Sequence, residues 1–298
     1  MKFIDDNRDD FGVEPICRTL QVAPSTYYDN KKRPLSARAI RDAMLIPILL
    51  ALFVANRKLY GAHKLWKAAN RAGHVIGRDQ TARLMRQMGI RGVSRKRKVR
   101  TTVPDDNAVR PADLVERDFT ADRPNRLWVT DLTFVSTRAG TAYACFIIDA
   151  FSRKIVGWRV ASHMRTVMVL DALEMARQSR GTRLEGLVAH SDAGSQYTSI
   201  RYGERLAEIG AVPSIGSIGD SYDNALAEAV NNLYKTELVY GPDQGPWETV
   251  ADLELATLGW VHWFNNQRLH GYCGDIPPAE YEAVYDAERS TRLPVGNQ

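Results

Sequence analysis

The chain is poor in the residues that staple small folds or ligate soft metals. Of 298 residues only three are cysteine, Cys17, Cys145 and Cys273. They lie far apart, and none forms a C-x-x-C pair, which excludes a disulfide framework and a zinc knuckle. Long apolar runs are also missing. The longest, residues 43–55, is interrupted by Pro47 and is too short for a bilayer span. The first residues, Met1-Lys2-Phe3-Ile4-Asp5-Asp6, have no apolar stretch of signal-peptide length, so a soluble, cytoplasmic protein is expected. No internal repeat or low-complexity segment is found. With 44% hydrophobic and 25% charged residues, disordered and collagen-like classes are excluded.

The length suggests two domains, and the charge divides accordingly. Residues 1–100 hold 22 basic and 8 acidic side chains, a net of +14, whereas residues 101–298 carry −9. A basic region joined to an acidic one points to two tasks, with a polyanion as partner of the first.

The basic part reads as helical. A short helix in residues 13–28 is broken at Gln21-Val22-Ala23-Pro24, and a basic linker, Lys31-Lys32-Arg33-Pro34, follows. Ser36 is placed to cap a long helix reaching about Asn56, with Ile40, Met44, Leu45 and Leu49 as its apolar stripe. Two more helices are expected, one ending near Ala72 and one over residues 78–88. Gly73 and Gly89 stand at their C-termini. The second of these displays Arg78, Gln80, Thr81, Arg83, Arg86 and Gln87 around Ala82, Leu84, Met85 and Met88. Such a face suits a major groove; it also suits the solvated side of a plain bundle. The run Arg95-Lys96-Arg97-Lys98 directly after it favours DNA, because dense cations neutralise phosphates. Residues 101–118 read as a linker.

Beyond it the texture becomes β-rich. Three strands on short turns, near residues 127–135, 142–149 and 154–160, predict an antiparallel meander. A helix (166–179), a buried strand ending at His190, a helix (200–209), a short strand and two long helices (223–238 and 247–266) complete a mixed α/β sheet. Asp131 lies inside the first strand, Asp192 just after the fourth and Glu228 on the first long helix. An isolated buried carboxylate is costly. Three converging there would suit a hard divalent cation, Mg²⁺ or Mn²⁺. Taken singly, each also has a plain reading as a turn, cap or solvated residue. Asp149, followed by Ala150-Phe151-Ser152-Arg153, is assigned to a structural turn.

These segments carry a resemblance. Leu127-Trp128-Val129-Thr130-Asp131-Leu132-Thr133, His190-Ser191-Asp192-Ala193-Gly194-Ser195-Gln196-Tyr197 and Ser221-Tyr222-Asp223-Asn224-Ala225-Leu226-Ala227-Glu228 occur in this order, with 35 residues between Asp192 and Glu228. Leu233-Tyr234-Lys235-Thr236-Glu237-Leu238 and Trp263-Phe264-Asn265-Asn266-Gln267-Arg268-Leu269-His270 follow. The pattern resembles the retroviral-integrase-like DDE transposases, and more narrowly the frame-B protein of the third bacterial insertion-sequence family, over about residues 13–285. One position departs from it: Ala193 stands where many relatives have Arg or His.

The resemblance implies a ribonuclease-H-like catalytic domain (111–285) after a helix-turn-helix DNA-binding region (1–110), with a tail at 286–298. It implies two metal ions, Mg²⁺ or its substitute Mn²⁺. Asp131 would bridge them, Asp192 and Glu228 would each complete one site, and no covalent protein–DNA intermediate would form. Double-stranded DNA is the implied partner, a homo-oligomer on DNA the implied state, and an upstream frame-A protein or fusion a further partner. Lys235, seven residues beyond Glu228, is a candidate for an element-end phosphate. Asn231 and Tyr234 are lesser candidates for the same surface, and Arg268 and His270 are left open between DNA and a second subunit. His190 reads as structural rather than as a base. The alternatives are a repressor derived from a transposase and a ribonuclease H, of which the latter predicts four clustered acids and no basic N-terminal domain.

Overall fold

The computed structural model describes residues 1–94, 113–181, 184–216, 224–242 and 244–292. The chain divides into two compact units, Met1–Leu50 and Ala51–Gln298. The first opens on α1 (Lys2–Phe11), which the sequence did not announce. Its Asp-rich composition is a weak helix former, and tertiary contacts compensate. Ile4 is buried with Ile16, Cys17 and Tyr27, and Asp5 accepts from the Tyr27 hydroxyl at 2.8 Å and pairs with Lys31 at 2.6 Å. Then come α2 (Val13–Thr19) and α3 (Pro24–Lys32). Two residues of the expected basic linker, Lys31 and Lys32, therefore belong to the last turn of α3, where cations complement the helix dipole. The long helix is α4 (Ala37–Ala55), with Ser36 Oγ accepting from Ala39 N. Its expected stripe splits, since Leu45 and Leu49 are buried while Ile40 and Met44 are exposed.

In the second unit α5 (Ala62–Arg71) and α6 (Arg78–Gln87) form a pair closed by Leu65, Ala69, Leu84 and Met85. Trp66 Nε1 donates to the carbonyl of Ile76. Gly73 and Gly89 take positive φ, +86° and +68°, the left-handed conformation that ends a helix at least cost with glycine. This pair is bound to the end of the chain. The Leu269 N–H donates to Tyr60 Oη at 2.8 Å, Lys67 pairs with Asp275 at 3.1 Å, and Arg71 pairs with Glu280 at 2.6 Å.

The sheet has five strands, β1 (Leu127–Thr137), β2 (Gly140–Asp149), β3 (Ile155–Ala161), β4 (Val188–Ser191) and β5 (Val212–Ile215). Their spatial order is β3-β2-β1-β4-β5. β1–β2 and β2–β3 are antiparallel, whereas β1–β4 and β4–β5 are parallel. The antiparallel pairs follow from turns of a few residues. The parallel ones need helical crossovers, supplied by α7 (Thr166–Arg180) and α8 (Ile200–Glu208). This is the mixed sheet the sequence predicts.

Trp128, Cys145 and Ile147 share a core with Met168, Val169, Ala172, Leu173 and Ala176 of α7. Gly157 permits that approach, because a Cβ there would stand 2.1 Å from the Ala172 carbonyl oxygen. Successive strand residues point to opposite faces. Phe146 accordingly packs against Tyr234 and Trp260, which belong to α9 (Ala225–Tyr234) and α10 (Val250–Asn266). The chain's last described helix is α11 (Pro278–Arg292).

One expectation fails in an informative way. The helix expected through Leu238 ends as an α-helix at Tyr234, and Lys235–Val239 form a widened π turn in which Tyr240 N bonds to the Lys235 carbonyl. The extra residue in the turn swings Glu237 inward, where its carboxylate meets Arg268 at 2.6 Å and the Trp260 indole N–H at 3.4 Å. Arg268 and His270 are buried, so neither presents itself to DNA or to a second subunit. Tyr234 is fully buried and shares its hydroxyl hydrogen with Thr257, which corrects its assignment to a DNA-facing surface.

Candidate active site

Asp131 sits mid-strand in β1, on the face that carries Phe146 opposite it. β4 runs parallel alongside, with Thr130 paired to Ser191, so the next residue in each strand, Asp131 and Asp192, emerges at the same end of the sheet. Two asparagines bring α9 to this point. The Asn224 amide donates to the Thr130 carbonyl at 3.0 Å, and the Asn231 amide donates to Asp131 Oδ2 at 2.9 Å. Residues 224, 228 and 231 are four and three apart, hence on one helix face. Glu228 therefore turns toward β1, between two residues that touch it. It also occupies the first turn of α9, where the helix dipole favours an anion.

The electrostatics agree with convergence. Burial, the charge of Asp192 and that of Glu228 push the Asp131 carboxyl up to about 7, against hydrogen bonds from the Leu132 N–H and Asn231 that stabilise its anion. Asp192, at the mouth of the site, is also raised, by the protein surrounding its carboxylate and by Glu228. Its Oδ1 accepts from Gly194 N at 3.2 Å. A Cβ at Gly194 would stand 2.9 Å from Gln196 Oε1 and 3.0 Å from that oxygen, so glycine leaves the turn after β4 room for both side chains. Behind the site, Thr130 Oγ1 and the Tyr197 hydroxyl share a hydrogen bond of 3.2 Å. Among the described residues no three His, Cys, Asp or Glu side chains are drawn close enough to enclose an ion; the acids act on one another through their charge. All three are hard oxygen donors, the kind that suits Mg²⁺ or Mn²⁺.

The other expected residues divide clearly. Asp149 is fully buried, accepts from the N–H groups of Asn125 and Phe151, and lies 3.6 Å from Arg180. It is the structural turn residue it was read to be. His190 is fully buried, with Nδ1 2.9 Å from Ser214 Oγ and its ring against Phe119, a structural placement as expected. Asn231 has its amide on Asp131 rather than on an outer surface. The 4–3 spacing of Asn224, Glu228 and Asn231 was the signal that could have revealed this.

On α6, Arg78 and Arg86 are exposed and Arg83 is half-buried. Thr81, expected on the outer face, is buried and donates its hydroxyl to the Gly77 carbonyl, because it falls on the side that packs with Leu84 and Met85. The run Arg95, Lys96, Arg97 and Lys98, like Ser221-Tyr222-Asp223, lies outside the described residues. Lys235 ends α9 with its Nζ 4.6 Å from the centre of the Phe134 ring. No helix among the described residues is long and apolar enough to cross a membrane.

Comparison with known proteins accords with this geometry. Two models of the integrase core domain match residues 121–221 and 210–278, and a model of an HTH-like domain matches residues 39–98. The chain is 53% identical over 274 residues to a putative transposase for insertion sequence element IS986/IS6110 of Mycobacterium tuberculosis, covering 91% of this chain and 98% of that one. It is 48% identical over 292 residues to the transposase for insertion sequence element IS629 of Shigella sonnei, covering 96% and 97%. Among solved structures, the catalytic core domain of BIV integrase aligns with 56% of this chain and 99% of its own at 19% identity, with a TM-score of 0.43. Identity of this level over almost the full length of a transposase, with integrase-core matches spanning β1, β4 and α9, makes this chain a member of the family of insertion-sequence transposases.

Proposed function

We propose that the chain cuts and joins DNA at the ends of an insertion sequence, with Asp131, Asp192 and Glu228 as its catalytic and metal-holding residues. The observation that carries this reading is the convergence of β1, the end of β4 and α9, which sets the charges of Asp192 and Glu228 against the Asp131 carboxyl. Perturbed acids gathered in one site are candidates for chemistry. Their oxygens would hold Mg²⁺, or Mn²⁺ in its place, as two ions. When bound there, divalent metal would lower the pKa of the attacking hydroxyl and neutralise charge on the leaving oxygen.

The protein's own contribution is placement. Leu132 N–H and Asn231 fix the orientation of the Asp131 carboxylate, Gly194 fixes that of Asp192, and the asparagine-pinned α9 presents Glu228. In the first step water attacks a phosphodiester at the element end, and the departing bridging oxygen takes a proton to become a free 3′-hydroxyl. In the second step that hydroxyl attacks a target phosphodiester and displaces its bridging oxygen.

Double-stranded DNA is the partner, both as element ends and as target. Arg78, Arg83 and Arg86 of α6, with Arg95, Lys96, Arg97 and Lys98, contact it in the N-terminal region of residues 1–110. Lys235 holds a phosphate of the end within the catalytic domain of residues 111–285. The assembly on DNA is a homo-oligomer, with an upstream frame-A protein or fusion as a further partner. The deciding experiment is strand transfer with duplexes bearing the terminal repeats that flank the gene. Activity should require Mg²⁺ or Mn²⁺ and vanish in Glu228→Gln while duplex binding persists. Strand transfer by Glu228→Gln at the wild-type rate would overturn the assignment.

A further inference from the structure

Asp131 and Asp192 stand where two parallel strands part. The last paired residues of β1 and β4 are Thr130 and Ser191, each one step before its acid. Beyond that rung the backbone ladder no longer fixes the gap between the strands, and both carboxylates lie beyond it.

Thr130 is held at this fork from three sides. Its backbone is in register with Ser191 of β4. Its carbonyl accepts from the amide of Asn224 at 3.0 Å, four residues before Glu228. Its hydroxyl shares a hydrogen bond of 3.2 Å with that of Tyr197, in the turn that follows Asp192. This turn extends the connection. Tyr197 N donates to the Gly194 carbonyl at 3.0 Å, and Gly194 N donates to Asp192 Oδ1 at 3.2 Å. A series of hydrogen bonds thus runs from the Asp192 carboxylate through Gly194 and Tyr197 to Thr130, the residue before Asp131.

Successive side chains of a strand alternate, so the Thr130 hydroxyl points away from the Asp131 carboxylate, into the core under α7. Cys145 Sγ lies 3.6 Å from it and 3.8 Å from the Tyr197 hydroxyl, and Thr130, Tyr197 and Cys145 are all buried. Tyr197 shares this core with Trp128, Met168 and Leu173. Two hydroxyls buried here carry a desolvation cost that valine and phenylalanine would avoid. A matched apolar pair of the same shape can be as stable as a hydrogen-bonded one, so stability alone does not call for the bond.

We infer that the Thr130–Tyr197 hydroxyl pair positions the two aspartates: it ties the fork of β1 and β4 from behind and sets the spacing at which Asp131 and Asp192 face one cation. Both are positioning residues, since neither hydroxyl reaches substrate. The inference rests on the proposed metal-holding role of these acids and adds what fixes the gap between them.

The test uses the full-length chain. Mn²⁺ binding without DNA is followed by the electron paramagnetic resonance signal of the free ion, and strand transfer is measured against Mg²⁺ concentration at saturating duplex. Tyr197→Phe and Thr130→Val each remove one hydroxyl and keep the shape. Each should weaken Mn²⁺ binding roughly two- to tenfold, the worth of one hydrogen bond. The Mg²⁺ concentration for half-maximal strand transfer should rise by a similar factor, with the KM for duplex unchanged. Combining the two should add almost nothing, and Thr130→Ser, which keeps the hydroxyl, should bind Mn²⁺ as the wild type does. Melting temperatures without divalent metal establish that each protein is folded. The double variant, which leaves no hydroxyl unmatched, should fold at least as well as either single one.

A merely structural bond would lower the melting temperature without moving the Mn²⁺ affinity. Wild-type Mn²⁺ affinity in the folded variants that lack a hydroxyl, full additivity in the double variant, or weakened binding in Thr130→Ser would each overturn the positioning role. Asp131→Asn separates the two levels. If it binds Mn²⁺ as the wild type does, the metal-holding reading falls and this inference with it. A loss in Asp131→Asn without one in Tyr197→Phe and Thr130→Val removes only the inference.

Discussion

Two groups of acids in the same domain have opposite surroundings. Asp149 and Glu282 meet at Arg180, and Glu282 also accepts from Lys154 at 2.9 Å and Ser152 at 2.6 Å. Burial works against the Glu282 carboxylate, but Arg180, Ser152 and Lys154 outweigh it and hold its pKa below the ordinary value. Glu237 is likewise joined to Arg268 by three hydrogen bonds. Asp131, in contrast, receives two neutral N–H donors, and its nearest charges are Asp192 and Glu228. Acids matched with guanidinium groups hold elements together. Acids set against one another repel, and a cation between them would relieve it. The sign of the neighbouring charge is what distinguishes the two groups.

The largest effect should come from exchanging charge for neutrality in each group. Asp131→Asn, Asp192→Asn and Glu228→Gln should abolish end cleavage and strand transfer, with duplex binding and melting temperature close to wild type. Asp149→Asn should lower the melting temperature yet retain turnover per folded molecule. The contrast breaks if folded Asp149→Asn is as inactive as Asp131→Asn.

Next in size is the buried pair at the π turn. Glu237→Ala leaves the Arg268 guanidinium buried and unmatched, at a cost of about 3–5 kcal/mol, readable by urea denaturation. A loss under 1 kcal/mol would mean that water reaches Arg268. A smaller effect is expected on α6, where Arg78→Ala and Arg86→Ala should each reduce the slope of log affinity against log salt by about 0.9. Unchanged slopes would move the DNA path off this helix.

The smallest effect concerns His270. Burial first, then the charges of Arg268 and Lys64, hold its pKa well below the ordinary 6.5. The unfolded chain therefore takes up a proton that the folded one refuses, so stability falls as pH drops below about 6.5. The loss continues until the depressed folded value is reached. His270→Gln should flatten the dependence of melting temperature on pH between 7.5 and 5. An equally steep dependence would assign the slope to other groups.

Much of this was legible in one dimension. The meander over β1 to β3 followed from β-rich runs on short turns, and Gly73 and Gly89 marked helix ends because positive φ is inexpensive there. The acids declared themselves by residue type and spacing within recognisable segments. Less legible were the features decided by partners distant in sequence. Helix α1 forms on a weak local propensity because Ile4 and Asp5 find Tyr27 and Lys31. Glu237 turns inward because Arg268, thirty-one residues away, needs a carboxylate.

The sequence by itself determined the order of strands and helices, the division of charge and the identity of the three acids, since these depend on local periodicity and on residue chemistry. Only the tertiary structure decided which acids face cations and which face one another. It alone placed the Asn231 amide on Asp131, the Lys235 ammonium on the Phe134 ring, and Tyr234 in the core instead of against DNA. Hydrogen bonds and Coulomb interactions act over a few ångströms in space, irrespective of separation along the chain. Their partners become fixed only when the parallel pairing of β1 with β4 and the packing of α9 on β1 bring those side chains together.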